Sequence, residues 1–336
     1  MNFEGEFLDS LLDDRSERMS YWKNKRVMVT GGQGFLGSHV VEKLRLAGCT
    51  QVCVAAHRDF DLSKADQVQR LFHEQRVDVL LHMAGLVGGI AANKARPADF
   101  FYQNLMMNTL TLHHAWQAGV SKVVAAGAGC GYPEHAPLPL RETNFWDGFP
   151  QAESAPYSLA KRMLHVQSIA YWAQHRLPVI VTVPGNIYGP YDNFDLENAH
   201  VVPALIRKFV EAGEAKLERL VVWGSGAPTR DFVFAGDVAE GILRAAEIYD
   251  RSELVNLASG QEASIRSVVD ALREISGFRG EVVWDAERPD GQSRRVFDIS
   301  RARADLGWEP RTSLPAGLAT TLRWYREHRT TARNKG

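Results

Sequence analysis

The chain is poor in cysteine and has no long apolar run. Its three cysteines, Cys49, Cys53 and Cys130, lack the spacing of a metal site, and without a secretion signal they predict no disulfide framework. No stretch approaches the roughly 18 apolar residues of a membrane span, and the first residues are acidic where a secretion signal needs basic ones. These absences predict a cytoplasmic protein that binds neither a metal nor a membrane.

A strong charge of either sign is also lacking. The 39 basic and 40 acidic side chains give a formal net charge of -1. Such a balanced chain has no overall electrostatic attraction for nucleic acid, so a nucleic-acid partner is not expected. Its 45% hydrophobic content in 336 residues is enough for a large buried core. We therefore expect a globular protein.

From Arg26 onward, strand-like and helix-like segments alternate. The strand-like segments are RVMVT, QVCVAA, VDVLLHMAG, KVVAAGAG and PVIVTVPG, and a segment with helical spacing of apolar residues follows each of the first four. A further helix and strand, DFVFAGDVAEGILRAAEIY and LVNLAS, come later. This alternation is typical of a parallel sheet with helices on both faces. The predicted fold class is α/β, with a Rossmann-type doubly wound sheet.

Two stretches interrupt the alternation. Residues 186–231 are expected to hold loops and one helix, and residues beyond 263 a helix, a strand and further helices between Pro-rich joints. We therefore predict a smaller, discontinuous α/β substrate domain over 186–231 and 263–330. The dinucleotide-binding domain would cover 24–185 and 232–262. Residues 1–23 would form an N-terminal extension, as a short surface helix or partly disordered.

A Gly-rich turn, GGQGFLG, joins the first strand to the first helix. Gly31 permits the tight turn, Gly34 lets backbone N–H groups approach a pyrophosphate, and Gly37 allows the helix to pack closely on the sheet. The N-terminus of the helix adds positive potential for the phosphates. The turn therefore predicts a dinucleotide site.

The end of the second strand bears on which dinucleotide binds. Two alanines stand where an acidic residue would bind a ribose 2′-OH, and the nearby Arg58 would suit a 2′-phosphate instead. This favours NADP(H), while Asp59 keeps NAD(H) open. Asp61 and Leu62 are predicted to lie beside the adenine. An alternative for Asp61 is the N-cap of the next helix.

Tyr157 and Lys161 are four residues apart on a predicted helix. This spacing places the phenol and the ammonium on one face, so that Lys161 can lower the phenol pKa and hold the nicotinamide ribose. Tyr157 would then exchange a proton with a carbonyl or an alcohol. Together with the Gly-rich turn upstream, the pair predicts a dehydrogenase or reductase site.

Further segments complete a pattern. They are Val87-Gly88-Gly89-Ile90, Pro97-Ala98-Asp99-Phe100, Asn186-Ile187-Tyr188-Gly189-Pro190, Trp223-Gly224-Ser225-Gly226 and Pro289-Asp290-Gly291, with His200 ahead of Val201-Val202-Pro203. With these segments the chain resembles the extended short-chain dehydrogenase/reductases of the NAD-dependent epimerase/dehydratase family, and within it the GDP-L-fucose synthase group. The resemblance runs from about Arg26 to about His328.

The resemblance implies roles for individual residues. Cys130 and His200 match an acid/base pair that exchanges protons at the ring carbons beside a 4-keto group, and Tyr157 would protonate O4. Binding positions for the cofactor include Phe35, Leu36, Ala84, Asn104, Pro184 and Asn186. Positions for the nucleotide sugar are Val87, Asn186, His200, Lys208, Trp223, Arg230 and Asp290.

Three positions depart from the family pattern. Ala128 stands where the family has a Ser or Thr whose hydroxyl binds the substrate oxygen, and losing such a donor typically costs about two to three orders of magnitude in rate. Another group or a water could replace the hydroxyl, epimerisation could be the main chemistry, or the enzyme could be slow. Lys208 replaces an arginine, which leaves the nucleotide and sugar open. Gln33 stands in a turn that is basic in the relatives, which weakens the inference of NADP(H).

The function predicted is therefore a nucleotide-sugar epimerase and reductase that acts on a 4-keto sugar with NADP(H), or with NAD(H). Two alternatives stay open. One is an epimerase that oxidises and reduces its sugar transiently, without net redox change. The other is a catalytically silent protein that binds a dinucleotide or nucleotide sugar. The resemblance also implies a homodimer that pairs helices 98–118 and 154–174.

Overall fold

The computed structural model describes residues 20–287 and 290–332. Most of the predicted extension over 1–23 lies outside these residues, and so does Pro289 of the Pro289-Asp290-Gly291 segment. Near the end of the extension, one side chain reaches the core. Trp22 is fully buried, and its indole N–H donates to Glu247 Oε1 at 2.6 Å.

Strands and helices alternate along the described residues. The strands are β1 (Arg26–Thr30), β2 (Gln51–Ala55), β3 (Val79–His82), β4 (Lys122–Ala126), β5 (Val179–Pro184), β6 (Asn186–Tyr188), β7 (Arg219–Trp223), β8 (Thr229–Arg230), β9 (Phe232–Phe234), β10 (Glu253–Leu257), β11 (Ala263–Ser264) and β12 (Glu281–Asp285). The helices are α1 (Phe35–Leu46), α2 (Ala65–Glu74), α3 (Ile90–Ala95), α4 (Pro97–Gln117), α5 (Ala155–His175), α6 (Val201–Glu214), α7 (Ala235–Ile248), α8 (Ile265–Ser276), α9 (Ser300–Leu306) and α10 (Leu314–His328). Short 3₁₀ turns at Gly129–Gly131, Glu142–Asn144 and Ala152–Ser154 join β4 to α5. No helix of these described residues is long and apolar enough to cross a membrane.

Six strands form one parallel sheet in the order β10-β5-β4-β3-β1-β2. Alternate residues of β1 face opposite sides, as the pleat requires: Val27 and Val29 pack with α1 and α7, whereas Met28 packs with α2 and α4. Both faces are therefore covered, which explains the continuous apolar runs of the strands. The predicted doubly wound α/β fold is confirmed.

The strand order reverses between β1 and β3, which are neighbours in the sheet but are separated in sequence by β2. In such sheets a crevice opens at the carboxyl ends of the strands, and ligands bind there. The Gly-rich turn after β1 and the segments after β3 and β4 all end at this edge. The topology thus collects the predicted site residues from distant parts of the chain.

The prediction of loops and one helix for 186–231 is wrong. Besides α6 this stretch holds β6, β7 and β8, which pair with partners later in the chain: β6 with β9, β7 with β12 and β8 with β11. The two or three residues of β6 and β8 are too few to show a period of two. β7 does alternate between exposed and buried residues, but its partner β12 is far away in sequence.

A second apolar core lies outside the sheet. It joins α6, α8 and α10 to β7, through side chains such as Phe209, Leu272, Leu322 and Val222. This core draws on residues from both predicted parts of the substrate domain. The exact domain division stays a prediction.

Candidate active site

The glycines of the Gly-rich turn allow its backbone segments to approach one another closely. Gly31 has a φ of +66°, a conformation that favours glycine, and the Gly34 N–H donates to the Gly31 carbonyl at 2.8 Å. A Cβ on Gly37 would lie 2.1 Å from the same carbonyl oxygen, so a larger residue would push α1 away from β1. Phe35 and Leu36 open α1, whose first turn has neither a capping side chain nor an acidic residue. The free N–H groups and the helix dipole can therefore hold a phosphate.

The end of β2 places one positive side chain in solvent. Arg58 is 82% exposed along its side chain and pairs loosely with Asp59 at 3.6 Å. Asp61 does not cap the next helix, because α2 starts later with Lys64 as its N-cap. Its carboxylate accepts from the Ser63 N–H at 2.9 Å and the Ser63 hydroxyl at 2.7 Å, so this alternative is wrong. Leu62 is buried in the core, which leaves only its backbone for a cofactor contact.

Asn104 fixes the loop that follows β3. It is fully buried, its Oδ1 accepts from the Leu86 N–H at 3.0 Å, and its Nδ2 donates to the Leu86 carbonyl at 3.0 Å. The amide is thus occupied by the loop that contains Ala84 and the exposed Val87. Any effect of Asn104 on a ligand would therefore pass through the position of this loop.

Lys161 lies one turn after Tyr157 on α5, as the spacing predicts. The Lys161 ammonium is buried and donates to the Ala126 carbonyl at 3.0 Å, at the end of β4. Burial lowers the pKa of Lys161 to about 8, while the negative charge of a Cys130 thiolate acts in the opposite direction. The ring of Tyr157 meets Phe100 edge to face, with centroids 6.2 Å apart.

The predicted lowering of the Tyr157 pKa by Lys161 is wrong for the protein without ligands. Burial raises the pKa of Tyr157, and the charge of a Cys130 thiolate raises it further. The phenol is therefore protonated at neutral pH. This state suits a group that gives a proton to an oxygen.

Cys130 lies in the 3₁₀ turn after β4 and faces α5. Burial raises the pKa of its thiol, whereas a hydrogen bond with Ser158 and the positive charges of Arg295 and Lys161 lower it. The balance lies above the ordinary thiol value, so Cys130 is a thiol at neutral pH. Ala128, in the same segment, is buried and contributes its carbonyl to the turn by accepting from the Gly131 N–H at 2.9 Å.

His200 immediately precedes α6, and its backbone carbonyl accepts a hydrogen bond from the Ala204 N–H at 3.1 Å. His200 is exposed to solvent, and partial desolvation by the protein lowers the pKa of its imidazole, which favours the neutral form. Within the described part of the chain, no hydrogen bond joins His200 to Cys130. The structure thus supports the protonation states of a donor and an acceptor without placing the two side chains in contact.

The remaining predicted substrate residues form one series of contacts. Lys208 Nζ lies 4.8 Å from the ring centroid of the exposed Trp223. The N–H and hydroxyl of Ser225 donate to the Asp290 carboxylate at 2.9 and 2.5 Å. Burial and the charge of Arg295 lower the pKa of Arg230, and the charge of Asp290 opposes them. Asn186 lies beside this series, since its N–H donates to the Asp231 carbonyl at 2.8 Å, and Pro184 is two residues away at the end of β5.

Comparison with known proteins decides the family. A family model described as the NAD dependent epimerase/dehydratase family matches residues 27–258. The chain belongs to this family. GDP-L-fucose synthase 1 of Arabidopsis thaliana is 38% identical over 303 residues, which cover 90% of this chain and 94% of the relative.

Two solved structures extend the comparison of this family member. A GDP-L-fucose synthetase of Naegleria fowleri bound to NADP is 27% identical, covers 93% of this chain and 96% of its own, and has a TM-score of 0.85. A GDP-6-OMe-4-keto-L-xylo-heptose reductase of C. jejuni is 26% identical, covers 91% and 99%, and has a TM-score of 0.83. The predicted family and the prediction of an NAD(P)-dependent enzyme are confirmed.

For this member of the epimerase/dehydratase family, sequence reasoning missed three charged residues, of which Asp231 and Arg162 are buried and Arg295 is partly buried. Asp231 is fully buried and accepts from Ser259, Gly260 and Phe297. Arg295 donates to the Gly129 carbonyl, and Arg162 donates to the Gly131 carbonyl. The adjacency of Asp231 to Arg230 and of Arg162 to Lys161 was the only available signal, because burial of a charged side chain is decided by distant segments.

Proposed function

We propose that the protein is an NADP(H)-dependent epimerase and reductase that acts on a GDP-linked 4-keto-6-deoxyhexose. The observation that carries this proposal is that the Cys130 thiol interacts electrostatically with both the Tyr157 phenol and the Lys161 ammonium near the end of β4. A phenol and an ammonium serve reduction of a carbonyl, while a thiol serves proton exchange at carbon. The names of the relatives indicate GDP and a 4-keto sugar as the substrate class.

The residues around the crevice fit a dinucleotide. Gly31, Gly34 and Gly37 allow close backbone contacts that a Cβ would block, and the first turn of α1 has free N–H groups for a pyrophosphate. Arg58 would hold a 2′-phosphate, which favours NADP(H). Lys161 would hold the nicotinamide ribose. When bound, the reduced cofactor supplies the hydride.

Tyr157 would supply the proton for reduction. Its protonated phenol can donate to O4 as negative charge develops there. The Lys161 ammonium, held by the Ala126 carbonyl, stabilises the phenolate that remains after this transfer. Ala128 has no hydroxyl to donate to the developing oxyanion. Tyr157 would therefore carry a larger share of the stabilisation of this charge than it would beside a Ser or Thr.

Cys130 and His200 would exchange the ring protons. A carbon beside the ketone is acidic because the resulting enolate delocalises its charge onto the ketone oxygen. The neutral His200 imidazole can take this proton, and the Cys130 thiol can give its own proton to the opposite face of the carbon. The products are an imidazolium, a thiolate and the epimeric ketone, and exchange with solvent restores the first two.

Arg230, Lys208, Trp223 and Asp290 would bind the nucleotide. The Arg230 guanidinium can donate two N–H groups to a diphosphate, and the exposed Trp223 indole offers a face for a base. The Lys208 ammonium already lies over this ring. Asp290 orders the segment after β7 through Ser225. Val87, exposed in the loop after β3, would meet the sugar.

The proposal includes a homodimer in which α4 and α5 pair with the same helices of a second chain. Exposed apolar side chains of these helices support it: Phe101 and Tyr102 on α4, and Val166 and Ile169 on α5. A cytoplasmic location is part of the same proposal, and the free Cys49, Cys53 and Cys130 agree with a reducing compartment.

The deciding experiment incubates the purified protein with GDP-4-keto-6-deoxymannose in deuterated water, with and without NADPH, and follows the products by mass and NMR. We expect deuterium at the ring carbons beside the ketone in both reactions. Only the reaction with NADPH should yield a 4-hydroxy sugar, with one NADPH oxidised per product.

Other outcomes would replace the proposal. Reduction without deuterium would indicate a reductase in which Cys130 and His200 only bind. A change of configuration with no net use of NADPH would indicate an epimerase with transient redox chemistry, which the absence of a hydroxyl at Ala128 favours. Absence of turnover with this and other nucleotide sugars would indicate a protein that only binds them.

A further inference from the structure

Two guanidinium groups lie on either side of Cys130. The Arg295 Nη2 donates to the carbonyl of Gly129, and the Arg162 Nε donates to the carbonyl of Gly131. The residues immediately before and after Cys130 are thus each tied to a positive charge. The two arginines come from different parts of the chain, since Arg162 is on α5 and Arg295 precedes α9.

Arg162 is the more unusual of the two because it is only 3% exposed. Its Nη1 donates to the Gly148 carbonyl at 2.8 Å, and its Nη2 is buried with no hydrogen-bond partner. The rings of Phe145 and Trp146 lie 5.6 and 5.2 Å from its guanidinium carbon. Among the residues that the structure describes, no carboxylate pairs with it.

Burying a guanidinium without an anion is unfavourable, so buried charges are usually paired. The aromatic faces offset part of this cost. The negative group that interacts electrostatically with Arg162 is Cys130 in its thiolate form, while the main positive charges that act on Cys130 are those of Arg295 and Lys161. The same holds for Arg295, which Cys130 and Tyr132 influence. An anion formed at Cys130 would therefore relieve a cost that the folded protein already carries.

We propose that Arg162 is a positioning residue that holds the Gly129–Gly131 turn and stabilises the thiolate form of Cys130. The charge favours the state that Cys130 reaches after it gives its proton to a ring carbon. Arg162 does not contact the substrate in this role. The use of the thiolate in epimerisation rests on the proposed function, whereas the effect of Arg162 on the thiol does not.

Several other groups act on the Cys130 sulfur and must be held constant. They are Tyr157, Ser158 and Lys161 on α5, and Arg295 on the segment between β12 and α9. Ser158 is fully buried, and its hydroxyl lies 3.4 Å from the Ser154 hydroxyl. The test therefore changes Arg162 alone, with a pair of variants that separate charge from hydrogen bonding.

The experiment measures alkylation of Cys130 by iodoacetamide against pH, in the full chain without ligands, with peptide mass spectrometry to separate Cys130 from Cys49 and Cys53. Arg162→Gln keeps N–H donors but loses the charge, whereas Arg162→Lys keeps the charge but loses the fork. The quantity compared is the pH at which the alkylation rate reaches half its maximum, the midpoint. Since removing a cation disfavours the thiolate, we expect the midpoint of the Gln variant to lie at higher pH. Each unit of displacement lowers the thiolate about tenfold at a fixed pH below the midpoint. The Lys variant should stay near the original midpoint.

Lys122→Gln is the matched control. Lys122 is also a buried cation, but it lies at the opposite end of β4, where its ammonium donates to the Ala246 carbonyl at 2.7 Å. This variant should leave the Cys130 midpoint unchanged. If Arg162→Gln does not fold, Arg162→Met supplies the uncharged variant.

An unchanged midpoint in the uncharged variant, or equal displacement in the Gln and Lys variants, would overturn the proposal and leave Arg162 as a structural tie between Gly131 and Gly148. Deuterium wash-in by the original protein separates this result from failure of the proposed function. Wash-in with an unmoved midpoint contradicts only the role of Arg162. A displaced midpoint without wash-in contradicts only the role of Cys130 in epimerisation.

Discussion

The cofactor side and the substrate side of the crevice are constructed in different ways. The cofactor side depends on neighbours in sequence: Gly31, Gly34 and Gly37 form one turn, and Tyr157 and Lys161 share one helix. The substrate side depends on residues that are far apart in sequence, which the buried Asp231 carboxylate ties together through Ser259, Gly260 and Phe297. Local motifs thus mark the chemistry, while long-range polar contacts shape the place where the substrate is recognised.

This difference predicts that changes on one side should leave ligand binding on the other side nearly intact.

The largest effect is expected for Tyr157→Phe. Loss of the phenolic proton should slow reduction by about two to four orders of magnitude, with little change in the Kd of NADPH. Stopped-flow measurement of NADPH oxidation tests the rate, and fluorescence titration tests the Kd. Deuterium wash-in by this variant should persist. Unchanged reduction would show that another group protonates O4.

A smaller effect is expected for Gly37→Ala. The added Cβ would meet the Gly31 carbonyl, so α1 must move and its N–H groups lose their place for a phosphate. Loss of one or more charge-assisted hydrogen bonds should raise the Kd of NADPH about 10- to 100-fold. Binding of GDP in the absence of NADPH, measured by calorimetry, should hardly change. A normal NADPH Kd in the folded variant would show that the pyrophosphate does not bind at this turn.

The smallest effect is expected for Asp231→Asn, on the substrate side. An amide cannot accept from all the N–H and O–H groups around the carboxylate, so unfolding should become easier by about 1 to 3 kcal/mol. The KM of the nucleotide sugar should rise several-fold, because Arg230 and Arg295 depend on these segments, whereas the Kd of NADPH should not. Denaturant unfolding and steady-state kinetics provide these values.

Asp78→Asn is the control for this prediction. Asp78 accepts from the Arg26 N–H at 2.8 Å, just before β3 and away from the crevice. This variant should lower the free energy of unfolding without changing the KM of the nucleotide sugar or the Kd of NADPH. An equal rise of KM in both variants would indicate a general effect of stability, and the contrast between the two sides would be lost.

The fold was largely predictable because the apolar runs of the six strands in the parallel sheet and the helical spacing between them are local signals. The Gly-rich turn and the Tyr157/Lys161 pair were predictable for the same reason. The paired strands of 186–231 were not, since β6 and β8 are too short to show a period and their partners lie in other segments. The predicted direction of the Tyr157 pKa shift was also wrong, because spacing on a helix does not report how deeply a phenol is buried.

The sequence by itself determined the α/β sheet, the dinucleotide turn and the chemical groups of the site, because each depends on residues within a few turns of one another. Only the tertiary structure decided that Asp231 joins separate segments and that Arg162 and Arg295 lie on either side of Cys130. It also decided the directions in which the pKa values of Tyr157, Cys130 and Lys161 are shifted. Burial sets the free energy of a charge, and burial is a property of the folded chain as a whole.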